Sequence, residues 1–394
     1  MSRTRVILRS GKDQSLHRYH PWVFSGAIKK IDGPVAEGDL VDVYDNKGHF
    51  LATGHYQPGS IAVRILAFEP VDPDETFWRR RLEEAYLLRE RLGLTDSDET
   101  TVYRLVFGEG DRLPGLIIDH YGGALVMQFH SVGMYLLRDT FAALLQELYD
   151  GRLTTIYDKS EGTLPHKAPV TPRNGWLLGK EKGAEVTEHG HRFLVNWVEG
   201  QKTGFFVDQR ENRQVVGSFA GGRQVLNLFG YTGGFSVYAL AGGATLVHTV
   251  DSSVQAVKMS RTNVELNFGK KAPHKGIVAD AFEWLDRAET EYDMIILDPP
   301  AFAKHHNVLH NALQGYKRLN EKAFRKIRSG GILATFSCSQ VVSREQFRQS
   351  VFVAAANTGR HVRILQQLTQ PADHPISLFH PEGEYLKGLI MRVD

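Results

Sequence analysis

From about residue 196 onward the sequence repeats one pattern: an apolar strand, a turn rich in glycine or acid, then a helix. RQVLNLFGYTGGFSVYALAGGA, TLVHTVDSS, GIVADAFEWL, YDMIILDPP and GGILATFS supply five strand ends in this half of the chain. Apolar runs bounded by such turns are what strands buried on both faces look like. Their alternation with helices predicts an α/β fold with a parallel, doubly wound sheet. In sheets of this kind ligands sit at the carboxyl ends of the strands. The residues that follow each strand are therefore the first candidates for function.

The first strand, VLNLF, runs into Gly230-Tyr231-Thr232-Gly233-Gly234. This is neither the GxGxxG of a dinucleotide fold nor a phosphate loop ending in GK[ST]. Its glycines let a backbone approach a ligand closely, or simply make a tight turn. The second strand ends at Asp251, about 20 residues after the turn, where an acid can bond a ribose diol; Asp251 or Ser252 can equally cap the next helix. The third ends at Asp280-Ala281-Phe282, where a carboxylate can take an adenine amine or cap AFEWLDRA. The fourth, MIILDPPAF, ends at Asp298-Pro299-Pro300. An acid closing four apolar residues is expensive to bury unpaired. Two prolines make a stiff loop without amide donors, suited to holding a flat base. The fifth ends at Ser337-Cys338-Ser339, which holds the only cysteine among 394 residues. A lone cysteine is often just a small buried hydrophobe. At the sheet edge that also carries Asp251, Asp280 and Asp298, it is better placed to act as a nucleophile.

The remainder reads as two smaller regions. Residues 1–72 hold short strand patterns (RVILRS, VDVYD, HFLATGHY, IAVRILAF) of the spacing found in small barrels. Trp22 and Phe24 are expected in that barrel's core. A helix is predicted near 74–94, with Asp74 as its N-cap and Gly93 as its stop. Residues 73–195 form an α+β segment with the strands GLIIDHY, ALVMQFH and TTIYDKS and one helix, MYLLRDTFAALLQELYDG.

One cysteine excludes a disulfide framework and a cysteine-built zinc site. His305, His306 and His310 lack a third convincing ligand partner, so no metal is expected. There is no apolar run long enough to span a membrane. The start, MSRTRVILRSGKD, lacks the apolar core of a signal peptide, so a cytoplasmic protein is expected. Net charge is only +2, yet Arg3, Arg5, Arg9, Lys12, Arg18, Lys29 and Lys30 crowd the first tenth of the chain. Such a face can hold phosphates or be an ordinary solvated surface.

Taken together, NLFGYTGGFS, VDSS, DAF and LDPPAF resemble the motifs of class I S-adenosylmethionine methyltransferases. GQKTGFFVDQRENR, GYKRLN, SCS and PEGEYLKG are similar to segments of the bacterial large-subunit (23S) rRNA cytosine-C5 methyltransferases. HPWVFSGAI resembles the start of that family's PUA RNA-binding domain, and EGDRLPGLIIDHYG its linking domain. The resemblance covers essentially the whole chain. It implies a PUA barrel at 1–72, a linking domain at 73–195 and a Rossmann-like methyltransferase domain at 196–394. It implies S-adenosyl-L-methionine as cofactor and 23S rRNA, free or in an assembling large subunit, as partner, and makes a homodimer plausible. Carried over by position, Lys202, Thr203, Gly204, Phe206 and Asp208 shape the cofactor pocket. Phe229, Gly230, Thr232 and Gly233 pass under the methionine part, Asp251 takes the ribose, and Asp280 and Ala281 meet the adenine. Asp298 faces the target base and Cys338 is the nucleophile. A helix N-terminus after Ser339 or the nearby Lys304 would lower the thiol's pKa.

Two other readings compete. A base N-methyltransferase would need no thiol and would stack its base on Phe302. A non-catalytic rRNA-binding assembly factor would keep the pocket and transfer nothing.

Overall fold

In a computed structural model, residues 3–165, 168–287, 292–303 and 305–394 are described, except for the side chain of His306. The apolar alternation of the first seventy residues folds into one six-stranded sheet. Its strands are β1 (Thr4–Leu8), β2 (Trp22–Phe24), β3 (Ile28–Asp32), β4 (Leu40–Tyr44), β5 (Phe50–Tyr56) and β6 (Ile61–Ala67), with a short helix α1 (Gln14–His17) after β1. They lie in the order β2-β6-β5-β4-β1-β3. Only β1 and β4 run parallel. Val6, Leu8, Val23, Val41, Val43 and Val63 form its core. The strand period of two puts Val23 inside, so its neighbours face out. Phe24, expected in the core, is 44% exposed. Trp22 is half-buried and donates its indole N–H to Glu109 at 2.7 Å.

Helix α2 (Glu75–Arg91) begins at Asp74, whose carboxylate accepts the Phe77 N–H at 2.9 Å, so the predicted cap is real. A five-stranded sheet follows: β7 (Val102–Phe107), β8 (Leu116–Tyr121), β9 (Ala124–Phe129), β10 (Thr155–Asp158) and β11 (Gly175–Leu178), in the order β11-β10-β9-β8-β7. The single helix expected here is two, α3 (Val132–Tyr135) and α4 (Arg138–Tyr149). Strands β12 (Gly183–Glu188) and β13 (His191–Asn196) pair as a separate ribbon.

The chain packs as two units. The first comprises Met1–Val186, Val195–Val207 and Ala372–Gly383; the second comprises Thr187–Leu194, Asp208–Pro371 and Glu384–Asp394. The two N-terminal sheets share one unit. Leu66 of β6 shows why: it joins Phe77, Trp78, Leu82 and Tyr103 in the core under the second sheet.

The second unit holds the parallel sheet. Its elements are α5 (Arg210–Ser218), β14 (Gln224–Leu228), α6 (Gly234–Ala241), β15 (Leu246–Asp251), α7 (Val254–Phe268), β16 (His274–Val278), α8 (Ala281–Arg287), β17 (Tyr292–Leu297), α9 (Leu309–Lys326), β18 (Ile327–Ser337), α10 (Arg344–Thr358), β19 (Val362–Thr369) and β20 (Lys387–Val393). The order is β16-β15-β14-β17-β18-β20-β19. The first five strands are parallel; β20 runs antiparallel to both β18 and β19, which makes the sheet mixed. The strand order reverses between β14 and β17, the switch point where such sheets open a crevice. Leu226, Ile295, Leu297, Leu333 and Met391 bury one face against Leu319, Phe324 and Phe347. Among the described residues no helix is long and apolar enough to cross a membrane.

Candidate active site

Asp251, Asp298 and Cys338 stand where the sequence placed them, at or just past the carboxyl ends of β15, β17 and β18. The Asp298 carboxyl accepts an N–H from the Gln209 side chain at 3.0 Å, and Gln209 is fixed in turn by Asn212 at 2.6 Å. Burial and then the like charge of Asp208 push the Asp298 carboxyl up to about 7, against the Gln209 bond and Arg213. It is therefore divided between acid and carboxylate near neutral pH. Asp208 accepts the Tyr385 hydroxyl at 2.6 Å on one oxygen. Its other oxygen, Oδ1, is buried with no hydrogen-bond partner among the described residues.

Cys338 is half-buried, and its thiol lies 3.9 Å from the carbonyl of Pro299, the residue after Asp298. The two serines beside it set that position. Ser337 donates to the Tyr316 hydroxyl at 2.9 Å, and Ser339 donates to the Ala303 carbonyl at 2.6 Å. Tyr316 is in the field of both Cys338 and Asp298; burial first, with their charges, raises its phenol to about 12. The Lys387 ammonium is buried and donates to the Ser339 carbonyl at 2.6 Å and to the Val342 carbonyl at 2.5 Å. Burial brings this lysine down to about 8, and the charge of Cys338 acts in the opposite sense.

The helix expected just after Ser339 is not there to activate the thiol. The next helix, α10, starts only at Arg344, and Ser343 and Gln346 close its first turn with a capping box. Lys304 lies outside the described residues, as does the side chain of His306.

The glycine turn serves the protein's own packing. A Cβ on Gly230 would come 2.3 Å from Thr249 Cγ2, and one on Gly233, at φ +83°, would come 2.8 Å from Ser260 Cβ. Phe229 and Tyr231 also take positive φ, so the turn is wound tightly between β14 and α6. Thr232 is buried, and its carbonyl accepts from Asn263 at 2.9 Å. Asp251 accepts the backbone N–H of Tyr231 at 3.0 Å and of Ser253 at 2.9 Å, which leaves each oxygen a further lone pair. Asp280 caps α8 through Phe282 and Glu283 on Oδ1, and Ala281 is buried beside it. Lys202, Thr203, Gly204 and Phe206 belong to the first unit. The Thr203 hydroxyl donates to Asp119 at 2.6 Å and meets Tyr121 at 2.9 Å, so its polar group is engaged within that unit.

Comparison with known proteins agrees with this geometry. A family model described as S-adenosylmethionine-dependent methyltransferase matches residues 157–377, more than half the chain. The chain belongs to that family. A second model, a PUA-like domain, matches residues 6–68. The chain is 39% identical to Ribosomal RNA large subunit methyltransferase I of Escherichia coli O139:H28 over 397 residues, covering 99% of both proteins. Among solved structures, one described as a SAM-dependent methyltransferase from Streptococcus mutans superposes with a TM-score of 0.85 at 24% identity, covering 100% of both chains. Another, a methyltransferase complexed with SAH, gives 0.86 at 24% identity, again over 100% of both. At that identity these two structures speak for the fold.

The residues of this methyltransferase fit S-adenosylmethionine. The cofactor supplies a methyl group on a positively charged sulfonium, and it also carries an ammonium and a ribose diol. The orphaned Asp208 Oδ1 is a buried acceptor that a cationic donor would satisfy. Asp251 keeps lone pairs for the diol.

Gln209, Tyr385, Lys387 and the two serines were not assigned roles from sequence. Their partners come from other elements, although each lies in a segment already singled out: Gln209 in GQKTGFFVDQRENR, Tyr385 and Lys387 in PEGEYLKG, and the serines in SCS.

Proposed function

We propose that this methyltransferase modifies C5 of a cytosine in large-subunit (23S) rRNA through a covalent adduct of Cys338. One observation carries the reading: a half-buried thiol held against the Asp298-Pro299 loop, beside a carboxyl whose pKa is near 7. The 39% identity to an rRNA large subunit methyltransferase and the PUA-like domain support the choice of substrate.

Cytosine C5 is a weak nucleophile. Thiolate addition to C6, with a proton passed from the Asp298 acid to N3, converts the ring to an enamine. C5 would then take the methyl group as the donor's S–CH3 bond breaks, releasing the neutral thioether S-adenosylhomocysteine. A base removes the C5 proton, the C6–S bond breaks, N3 returns its proton to Asp298, and the thiolate and the aromatic ring are restored. One hard step is thus divided into easier ones. Asp298, held by Gln209, stabilises the charge that develops on the ring. Asp208 and Asp251 would hold the cofactor's ammonium and ribose. Phe229, Gly230, Thr232 and Gly233 would pass beneath its methionine part, with Asp280 and Ala281 at the adenine. Lys202, Thr203, Gly204 and Phe206 are assigned to the cofactor by resemblance alone. Phe302 weighs against direct N-methylation. Its ring lies 4.7 Å from that of Tyr316 and packs on Gly315, where it supports the core.

The test uses methyl-labelled S-adenosylmethionine and rRNA lacking its modifications. Label recovered as 5-methylcytidine, and lost in Cys338→Ser, is the expected result. Label that survives Cys338→Ser would overturn the thiol mechanism in favour of N-methylation. Cofactor binding without label in any rRNA would point to the non-catalytic reading.

A further inference from the structure

One anchored segment of the first unit, Ala372–Gly383, carries large apolar side chains on the outside. It is pinned at both ends. Asp373 is fully buried; its Oδ2 accepts the Arg104 backbone N–H at 3.0 Å, and its carbonyl accepts from Arg89 Nη2 at 2.6 Å. At the other end the His380 ring lies 4.3 Å from that of Trp22, and Glu382 meets the His20 ring at 3.3 Å. Between these anchors Leu378 is 91% exposed and Phe379 49%. Tyr19, 55% exposed, continues the surface; its ring lies 5.4 Å from that of Phe379 and 5.2 Å from that of Phe68. Tyr19 also holds φ +60°, a conformation that costs an aromatic residue energy and that collects at functional surfaces. Phe24 extends the same face, its ring 6.0 Å from that of His20.

Single exposed apolar residues are ordinary, but a run of neighbouring ones marks a surface made to be covered. Mobility does not explain this one, because buried hydrogen bonds pin the segment that carries it. The rings favour a flat partner. Tyr19 and Phe379 are tilted 55° to each other, so neither hides the other's π face. The surrounding charge favours an anion. Arg9, Lys12 and Arg18 are exposed and have no carboxylate partner among the described residues; Arg9 Nε donates to the carbonyl of Ile28, four residues after Phe24. Against them stand Asp13, bonded to His17, and the exposed Glu69 next to Phe68. Aromatic faces set among cations suit unpaired bases and their phosphates. A second copy of the same face would set cation against cation.

We infer that Tyr19 and Phe379, with Leu378 and Phe24 beside them, form a stacking surface for unpaired bases of the RNA substrate, whose phosphates Arg18 and its neighbours hold. The inference rests on the rRNA reading above and adds the face that meets the RNA and the single-stranded form it meets.

The experiment measures binding of the full chain to an unmodified large-subunit rRNA transcript across a salt series, with S-adenosylmethionine affinity and sedimentation read in parallel. Tyr19→Leu and Phe379→Leu stay apolar and lose the ring. Each is expected to weaken RNA binding about tenfold, the worth of one stacked base, and to leave the slope of log affinity against log salt alone. Tyr19→Phe keeps the ring and should bind as the unsubstituted protein does. Arg18→Gln should reduce the slope by about 0.7, one phosphate contact on a single strand. Cofactor affinity should be unchanged throughout. Leu378→Glu keeps the test decisive if the ring variants do not fold, because a side chain 91% exposed supports no core. It should weaken RNA binding about tenfold through like charge. Phe352→Glu, which adds the same charge at a 62% exposed position of α10, should not. Ring variants that bind RNA normally would overturn the surface. Equal losses in Leu378→Glu and Phe352→Glu would overturn it too, by reducing the effect to net charge. Ring variants that turn a dimer into a monomer with RNA affinity intact would assign the face to a second copy instead. If the unsubstituted protein binds no rRNA, the substrate reading fails together with the surface; normal binding by the variants of a protein that does bind rRNA refutes the surface alone.

Discussion

Removing the charge of Lys387 should make Cys338 a poorer nucleophile. The ammonium is bonded to the carbonyl of Ser339, the residue that follows the thiol, and to that of Val342. A charge pair roughly 6 Å apart at an effective dielectric near 20 interacts by about 3 kcal/mol. Half of that survives if solvent reaches the half-buried thiol, and about 1.4 kcal/mol is one pH unit. Loss of a neighbouring cation disfavours the thiolate, so a larger share of Cys338 stays protonated near neutral pH. Alkylation proceeds through the thiolate, so its rate near pH 7 should fall roughly 10- to 100-fold. The chain has one cysteine, so iodoacetamide labelling followed from pH 6 to 10 reads this group alone. Lys387→Met removes both the charge and the bonds. Lys387→Gln keeps amide donors for the two carbonyls and removes only the charge, whereas Lys387→Arg keeps the charge. The midpoint should move up in the first two and stay near that of the unsubstituted protein in the third. An unchanged midpoint in Lys387→Gln, with the protein folded and binding cofactor, would refute the electrostatic role. An ordinary midpoint near 8.5 in the unsubstituted protein would refute it outright.

Other expectations follow from the same site. Asp298→Asn should lower methyl transfer at least 100-fold, the scale of losing one stabilising group at the reacting centre, and the unsubstituted enzyme should lose rate on an alkaline limb as pH rises past about 7. Because its folded pKa is raised, Asp298 binds its proton more tightly in the native state; stability is full below about 3.8 and declines as pH rises through about 7. Asp298→Asn should therefore raise Tm more at pH 8 than at pH 5, and a larger gain at pH 5 would contradict the raised pKa. Asp208→Asn should weaken S-adenosylmethionine binding by about 1.5–3 kcal/mol, the worth of a hydrogen bond to a charged group; calorimetric titration showing unchanged affinity would remove Asp208 from the cofactor site. Gly230→Ala should destabilise the second unit by about 1–3 kcal/mol in urea, because the new methyl would overpack against Thr249.

What could be read from the sequence depended on where each signal lies. Strands β14 to β18 were legible because each ends just before a distinctive turn: glycines after β14, an acid at or after β15, β16 and β17, and Ser-Cys-Ser at the end of β18. Strands β14, β17 and most of β18 are also buried on both faces, whereas β16 is partly exposed. Strands β19 and β20 were not recognised. VRILQQLT is mostly exposed and shows no period, and β20 opens on Lys387, which composition alone would place on the surface. Asp251, Asp298 and Cys338 lie at or just past strand ends, so their place at one edge of the sheet could be anticipated. The groups that hold them could not: Gln209 meets Asp298 across 89 positions, and Lys387 meets Ser339 across 48. Those pairings exist only after the sheet has closed. Trp22 and Phe24 failed for a local reason, since a three-residue strand offers too few positions to show which face is buried.

The same distinction between ligand-facing and supporting groups explains an energetic oddity of the second unit. Two carboxyls, Asp208 and Asp298, are close enough for one to raise the pKa of the other, and the Arg213 that opposes this shift is already bound at 2.7 and 2.6 Å to Glu188. A sheet built only for stability would not keep a buried acceptor such as Asp208 Oδ1 without a donor. The arrangement is consistent if the missing donor arrives with the ligand. A cationic cofactor would relieve the repulsion on one side, and a base with a ring nitrogen to protonate would use the proton that the repulsion keeps on Asp298. The strain of the empty site and its proposed use in methyl transfer would then have one origin, the placement of two acids beside an arginine, Arg213, that is already bonded to Glu188.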